Sequence, residues 1–255
     1  MSPSTREAPA SAVAVEGVLR SMGDPTRAAG MQRFFKTGPG EYGEGDRFIG
    51  LTLPQIRAQV RLLRALPLDD TEKLLESPWH ETRMLAVALM VDRYPRADAQ
   101  ARRAIYELYL RRTDRINNWD LVDISAPGVV GMHLVDRSRA PLRRLARSRS
   151  VWERRIAIVS TFAFIRRGEL DDTLAIATQL LGDQHDLIHK AVGWALREVG
   201  KRDERVLRTF LDRHAPDMPR TALRYAIERL SPTLRAQYMA VRPRSARGRV
   251  RQTAR

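Results

Sequence analysis

The feature that most constrains this chain is a helical period that itself repeats. In LPQIRAQVRLLRALP (53–67), Ile56, Val60, Leu63 and Leu66 recur three and four positions apart, which places them on one helix face. ETRMLAVALMVDRYP (81–95) is apolar on most faces and stops at Pro95. QARRAIYELYLRR (100–112) and DDTLAIATQLLG (171–182) are amphipathic, and the latter ends at Gly182, a common helix stop. Pro54, Pro67, Pro95, Pro141, Pro216 and Pro219 lie near the expected boundaries, where proline is tolerated. No alternating strand pair with a hairpin turn is evident. The segments HETRMLAVALMV, WERRIAIVSTFAF, LIHKAVGWALREV and PRTALRYAIERL align on Arg83, Arg155, Lys190 and Arg224, at separations of 72, 35 and 34 residues. The first gap is about twice the others, and its midpoint lies near residue 119. A helix pair recurring at such a period predicts an all-α fold, an α-solenoid in which each pair buries its apolar face against its neighbours. Such a stack exposes a concave surface. The aligned cations predict a basic stripe along it. One such domain is expected over residues 11–240.

The charge balance narrows the partner. Forty-five basic residues face 30 acidic ones, for a net charge of +15. Nearly all the cations are Arg, with Lys at 36, 73, 190 and 201. GC-rich coding explains Arg over Lys but not the excess over acids. The excess points to a polyanionic partner, DNA or RNA first, with an anionic membrane or an acidic protein as alternatives. No run approaches the roughly 20 apolar residues that span a bilayer. The N-terminus lacks the charged and apolar regions of a secretory signal. The chain has no cysteine, which removes disulfides, thiol nucleophiles and cysteine metal ligands. A cytoplasmic, nucleoid-associated monomer with no membrane attachment, no obligate protein partner and no cofactor is the expectation. Residues 1–10 and the acid-free VRPRSARGRVRQTAR (241–255) read as disordered ends. The basic tail is either a solubilising end or a non-specific phosphate contact.

Three stretches carry possible chemistry. In NNWDLVDISAPGVVG (117–131), Trp119 and Asp123 are four apart and share a helix face, while Asp120 lies on another. By itself the pair fits a packed aromatic with first-turn acids favoured by the helix dipole, or a site where a carboxylate meets something cationic. SVWERRIAIVSTF (150–162) places Arg154 and Arg155 opposite the apolar Ile156, Val159 and Phe162. Adjacent residues face different ways, so one is expected toward solvent or a neighbour and the other toward the concave surface. HKAVGWALREVGKRD (189–203) sets Trp194 on one face with Lys190 and Arg197. That arrangement suits an aromatic on a sugar with cations on phosphates, or a half-buried Trp packed on cation stems. The histidines are His80, His133, His185, His189 and His214. His185 and His189 have a metal-compatible spacing, but no carboxylate motif completes it. No metal and no nucleotide site is expected.

Taken together, NWDLVD, WERRIAIV and IHKAVGWALRE, in that order and spacing, resemble the AlkD-like DNA alkylation repair glycosylases, a family of HEAT-like repeat proteins. The resemblance runs from about Met31 to Leu230, and RFFKTGPGEYGEGDRFIGLTLPQIR (33–57) looks like a first repeat of that family. It implies a curved stack whose basic concave groove binds double-stranded DNA carrying an N3- or N7-alkylated purine. It implies hydrolysis of the N-glycosidic bond without flipping the base, unlike most glycosylases, within base excision repair. Residue by residue, it implies Asp123 as the catalytic carboxylate, Trp119 and Trp194 against the deoxyribose and backbone, and Arg155 on a nearby phosphate. Lys190, Arg197 and Arg154 are further backbone contacts, with Lys36 and Thr52 in the first repeat. The sequence departs from the pattern at Phe34 and Phe35, where some members have Tyr, and at Thr52, where a longer polar residue occurs. The GPGEYGEGD loop (38–46) is longer than in some members and reads as a turn or lid.

The chemistry is coherent with these roles. Alkylation at N3 or N7 makes the purine cationic and a good leaving group. Its departure leaves an oxocarbenium-like sugar, which a fixed carboxylate and aromatic faces stabilise. The carboxylate can also orient a water. A second carboxylate is then not required. Two other functions fit the architecture: a non-catalytic solenoid binding distorted or branched nucleic acid, and a protein-interaction solenoid. A pure binder has no need of Asp123 in a basic groove, and a protein-binding surface has no need of +15.

Overall fold

The computed structural model describes residues 11–242. The two ends read as disordered, 1–10 and all but the first two residues of 241–255, lie outside the described residues. The described residues are helical throughout, apart from loops and one isolated parallel bridge between Arg47 and Trp79. They divide into two compact units, with the boundary between His133 and Leu134.

The first unit contains α1 (Ala12–Ser21), α2 (Pro25–Phe34), α3 (Leu53–Leu62), α4 (Leu68–Glu76), α5 (His80–Arg93), α6 (Ala99–Arg111) and α7 (Trp119–Ser125). A short helical turn, α8 (Met132–Leu134), follows at the boundary. The apolar period read from the sequence lands on α3, α5 and α6. α5 is the central helix, packed on α3, α4 and α7. This explains why its sequence is apolar on most faces: Leu85, Ala86, Val87, Leu89 and Met90 are all fully buried. Helix starts carry side-chain caps where the sequence offers Ser, Asp or Asn. Asp24 accepts from Arg27 N at 3.0 Å and Asp98 from Ala101 N at 2.8 Å. At α3, Gln55 accepts from the Thr52 amide at 2.8 Å, closing a capping box.

The segment between α2 and α3 has no regular structure, yet it is firmly held. The Glu81 carboxylate, itself buried, accepts from the amides of Ile49, Gly50 and Leu51 at 2.9, 2.7 and 3.1 Å. Gly50 sits at φ +88° with its α-carbon against the Asp24 carbonyl, where a side chain has no room. His80 N donates to Arg47 O at 2.8 Å. The first turn of α5 thus organises the loop before α3.

The second unit contains α9 (Ala140–Leu145), α10 (Val151–Ser160), α11 (Phe162–Ile165), α12 (Asp171–Leu180), α13 (Asp186–Arg202), α14 (Glu204–His214), α15 (Arg220–Ala226) and α16 (Pro232–Ala240). Here α13 is central, against α10, α12, α14 and α15. Ile188, Ala191, Val192, Ala195, Leu196 and Val199 form its buried face.

Gly193 marks the closest approach of α13 and α15, since a β-carbon there would overlap the Ala222 carbonyl oxygen and the Tyr225 side chain. Propensity alone predicts that Gly193→Ala stabilises α13 by about 1 kcal/mol. The helix contact reverses the sign. Gly193→Ala is expected to lower the unfolding free energy by about 1–3 kcal/mol in urea denaturation.

Candidate functional site

In the first unit the site is built on α7. The Asn118 carboxamide oxygen accepts from Trp119 N at 2.8 Å and caps the helix. Leu121 and Val122 are fully buried and fix one face of α7 in the core. Trp119 and Asp123, one turn apart, are half-buried. The Trp119 ring stacks on Phe35, centroids 5.3 Å apart and 16° from parallel. It meets the edge of Phe34 at 6.1 Å. Phe35 is buried and stacks in turn on Phe48 at 5.0 Å. Phe34 is 66% exposed, beside Trp119 at the surface. Asp123 lies close enough to Tyr109 for its charge to matter. Burial pushes the Tyr109 phenol pKa far up, Asp123 adds to the push, and the bond with Ser125 opposes it. After α7 the chain makes a π-helical turn over Pro127–Gly131, with Gly131 N donating to Ala126 O at 2.9 Å. Such turns re-aim a helix and are frequent beside functional sites.

Beneath this surface lies an ionic chain. The His80 ring, 1% exposed, places Nδ1 3.1 Å from Asp46 Oδ2 and Nε2 2.9 Å from Asp120 Oδ2. Two carboxylates on two ring nitrogens are both satisfied only by an imidazolium, which donates from each. Burial alone would lower the His80 pKa, but Asp120 and Asp46 together raise it to about 9. Burial would likewise raise Asp46. The bonds from His80 and Asn118 and the charges of Arg83 and His80 outweigh it, so Asp46 is held below its ordinary value. Asp46 also binds Arg83, and Asn118 Nδ2 donates to it at 3.1 Å. Asp120 is therefore the structural acid of α7. Its second oxygen accepts from Leu121 N at 2.8 Å.

One expectation fails here. Arg83 does not contribute to a basic stripe: it is 1% exposed, and it binds Asp46 and donates to the Ser77 carbonyl at 3.1 Å. The aligned cations diverge because their environments do. Arg83 and Arg155 are buried against acceptors, while the Lys190 side chain is partly exposed and Arg224 is exposed. The 38–46 loop is also more than a turn, since its last residue, Asp46, is the buried anchor.

In the second unit, Trp194 sits midway along α13, half-buried, with Phe162 edge-on at 4.4 Å. It lines a cleft of about 400 Å³ with Phe162, Arg166, Glu198, Lys201 and Arg202. Arg155 is 5% exposed, and its Nη1 donates to Leu187 O at 2.6 Å, which ties α10 to the first turn of α13. Arg154 grips Asp183 with Nε at 2.5 Å and Nη2 at 3.3 Å, and donates to the Ser148 and Arg149 carbonyls. Lys190 pairs with Asp186 at 2.8 Å. Arg197 pairs with Glu228. The His185 and His189 pair serves local structure. His185 Nδ1 accepts from Leu187 N at 3.2 Å as the cap of α13, and His189 Nε2 contacts Asp183 O at 2.6 Å. Lys36, exposed at φ 52°, follows α2, and Thr52 is engaged as the cap of α3.

The chain from Asp46 through His80 to Asp120 predicts a pH signature. His80 has a folded pKa raised above its unfolded value, so its stabilisation is complete below about pH 6.5 and is lost as pH rises through about 9. Asp46→Asn leaves Arg83 buried beside a neutral amide. It should cost about 3 kcal/mol at pH 7 in urea denaturation, and the fall in stability between pH 7 and 10 should be shallower than in the wild type.

Comparisons with known proteins bear on the family and the fold. No curated protein is detectably similar in sequence. Among solved structures, the chain is similar to a predicted DNA alkylation repair enzyme from Enterococcus faecalis. The two share 18% identity over 82% of this chain and 97% of that one, with a TM-score of 0.63, which shows a common fold. A family model for DNA alkylation repair enzymes matches residues 15–230, a span that includes Trp119, Asp123, Arg155 and Trp194. The chain belongs to the DNA alkylation repair enzyme family.

Proposed function

We propose that this protein is a DNA glycosylase that hydrolyses the N-glycosidic bond of N3- or N7-alkylated purines in double-stranded DNA without flipping the base. The observation that carries the reading is α7: in a chain of net charge +15, a half-buried carboxylate, Asp123, stands one turn from a half-buried, stacked tryptophan, Trp119. A protein that only binds a polyanion gains nothing from a carboxylate so placed. A protein that meets a cationic transition state does.

In this reading the alkylated purine leaves as a neutral base. The sugar it leaves behind carries developing positive charge. Asp123 stabilises that charge and orients the water that attacks the anomeric carbon. The Trp119 face adds its quadrupole to the same end, and Phe35 beneath it holds the ring still. Trp194 contacts the deoxyribose backbone. Arg155, locked by the Leu187 carbonyl, offsets a phosphate from a fixed position, at no cost in reorganisation. Arg154, Lys36 and Thr52 are further contacts. Lys190 and Arg197 exchange their present partners for phosphates. The Lys190–Asp186 pair is an exposed i,i+4 contact worth about 0.3–0.5 kcal/mol, so a phosphate displaces it readily.

Incubation with methylated duplex DNA should release free 7-methylguanine or 3-methyladenine. Asp123→Asn should cut the release rate by about 10²–10³-fold, while DNA affinity is kept or improved because a negative charge is gone. Release at the wild-type rate from the Asn variant would contradict the mechanism.

A further inference from the structure

We propose that the buried chain Asp46–His80–Asp120 is the positioning device of α7, with His80 holding the first helical turn so that Trp119 and Asp123 stand where the chemistry needs them. The proposal rests on the function proposed above.

The α7 helix has seven residues, far fewer than an isolated helix needs to persist in water. Its place is therefore set by tertiary contacts, and the polar ones at its start run to one cluster. Asn118, which caps Trp119 N, is itself held by Asp46 at 3.1 Å. Asp120, the next residue after Trp119, is held by His80 at 2.9 Å. The aromatic contacts converge on the same ring. His80 stacks on Phe48 at 4.6 Å and packs against Phe35 at 5.0 Å, and Phe35 carries Trp119. A shift of His80 therefore reaches Trp119 by two routes, through Asp120 and through Phe35.

The cluster draws on three parts of the chain: the loop before α3, the start of α5 and the start of α7. Arg83 fixes Asp46 from α5, and Glu81 fixes residues 49–51 from the same turn. Buried ionic networks of this kind are poor sources of net stability, and their best-attested use is to specify one arrangement. Here the arrangement specified is the register of α7. His80 also meets the charge of Asp120, three residues before Asp123. The two carboxylates of α7 are thereby given different jobs.

The test uses His80→Gln and the double variant His80→Gln/Asp120→Asn. The imidazolium donates twice, whereas a glutamine donates once and accepts once in that place. His80→Gln therefore leaves one of the two carboxylates facing the amide oxygen, whichever way the amide turns. Asn at 120 can donate to the Gln oxygen and reconnect the chain. Two signals are read at a temperature where circular dichroism shows each variant folded. One is the single-turnover release of 7-methylguanine from methylated duplex DNA. The other is the ¹⁵N indole resonance of Trp119, assigned with Trp119→Phe.

In His80→Gln, release should slow by about ten- to a hundredfold with DNA affinity unchanged, and the Trp119 resonance should move. The double variant should recover most of both. Wild-type release and an unmoved resonance in folded His80→Gln would overturn the proposal. So would a double variant that regains stability but neither signal. If His80→Gln does not fold, Asp120→Ala cuts the same link at its more exposed end, and unchanged signals there overturn the proposal equally. If the wild type releases no base, the glycosylase reading fails, and the Trp119 resonance still decides the positioning role.

Discussion

The loop before α3 and the start of α7 both depend on the first turn of α5. His80, Glu81, Thr82 and Arg83 are four consecutive polar residues, and all are buried. Burying charge is costly unless each group is met, and here the charged groups are met from elsewhere in the chain. Glu81 takes three amides of the 49–51 segment, Arg83 takes Asp46, and His80 takes Asp46 and Asp120. One helical turn thereby fixes an irregular loop and the start of α7 together.

That anchoring explains how a seven-residue helix can carry a site. α7 places a tryptophan and a carboxylate one turn apart at the surface, while its opposite face, Leu121 and Val122, enters the core. Rigid support behind polar groups is what makes their charge useful, because the field they exert is present before the substrate arrives. The second unit uses the same economy. Arg155 is buried against the Leu187 carbonyl and fixes the start of α13, the helix that carries Trp194, Lys190 and Arg197. No helix of the described residues is long and apolar enough to cross a membrane.

Much of this was legible in the sequence. The periods at 81–95, 100–112 and 171–182 became helices within two residues of the expected bounds, because amphipathic spacing responds directly to burial, while the one at 53–67 stops at Leu62 and leaves Leu63 and Leu66 buried in the turn beyond it. Trp119 and Asp123 stood out because an aromatic and an acid at helical spacing form a local pattern, whereas Asn118, which caps them, did not. Asp46 and His80 did not stand out, because no local pattern joins residues 34 and 40 positions apart. The one hint was HETR itself, four polar residues opening a helix that is apolar thereafter. The expectation for Arg83 fails for the same reason: its alignment with other cations is visible in the sequence, and its buried partner Asp46 is not. The repeat predicts where a side chain sits along its helix, but the neighbouring element decides whether it faces water.

The placement of α7 depends on His80 being a doubly protonated, buried link between Asp46 and Asp120. An NMR titration of its ring, following the Cε1 and ring-nitrogen shifts, tests this most directly. The imidazolium should persist through pH 8 and titrate near 9, with both ring protons protected from exchange. A ring that deprotonates near its ordinary value of about 6.5, with the fold intact, would contradict the account.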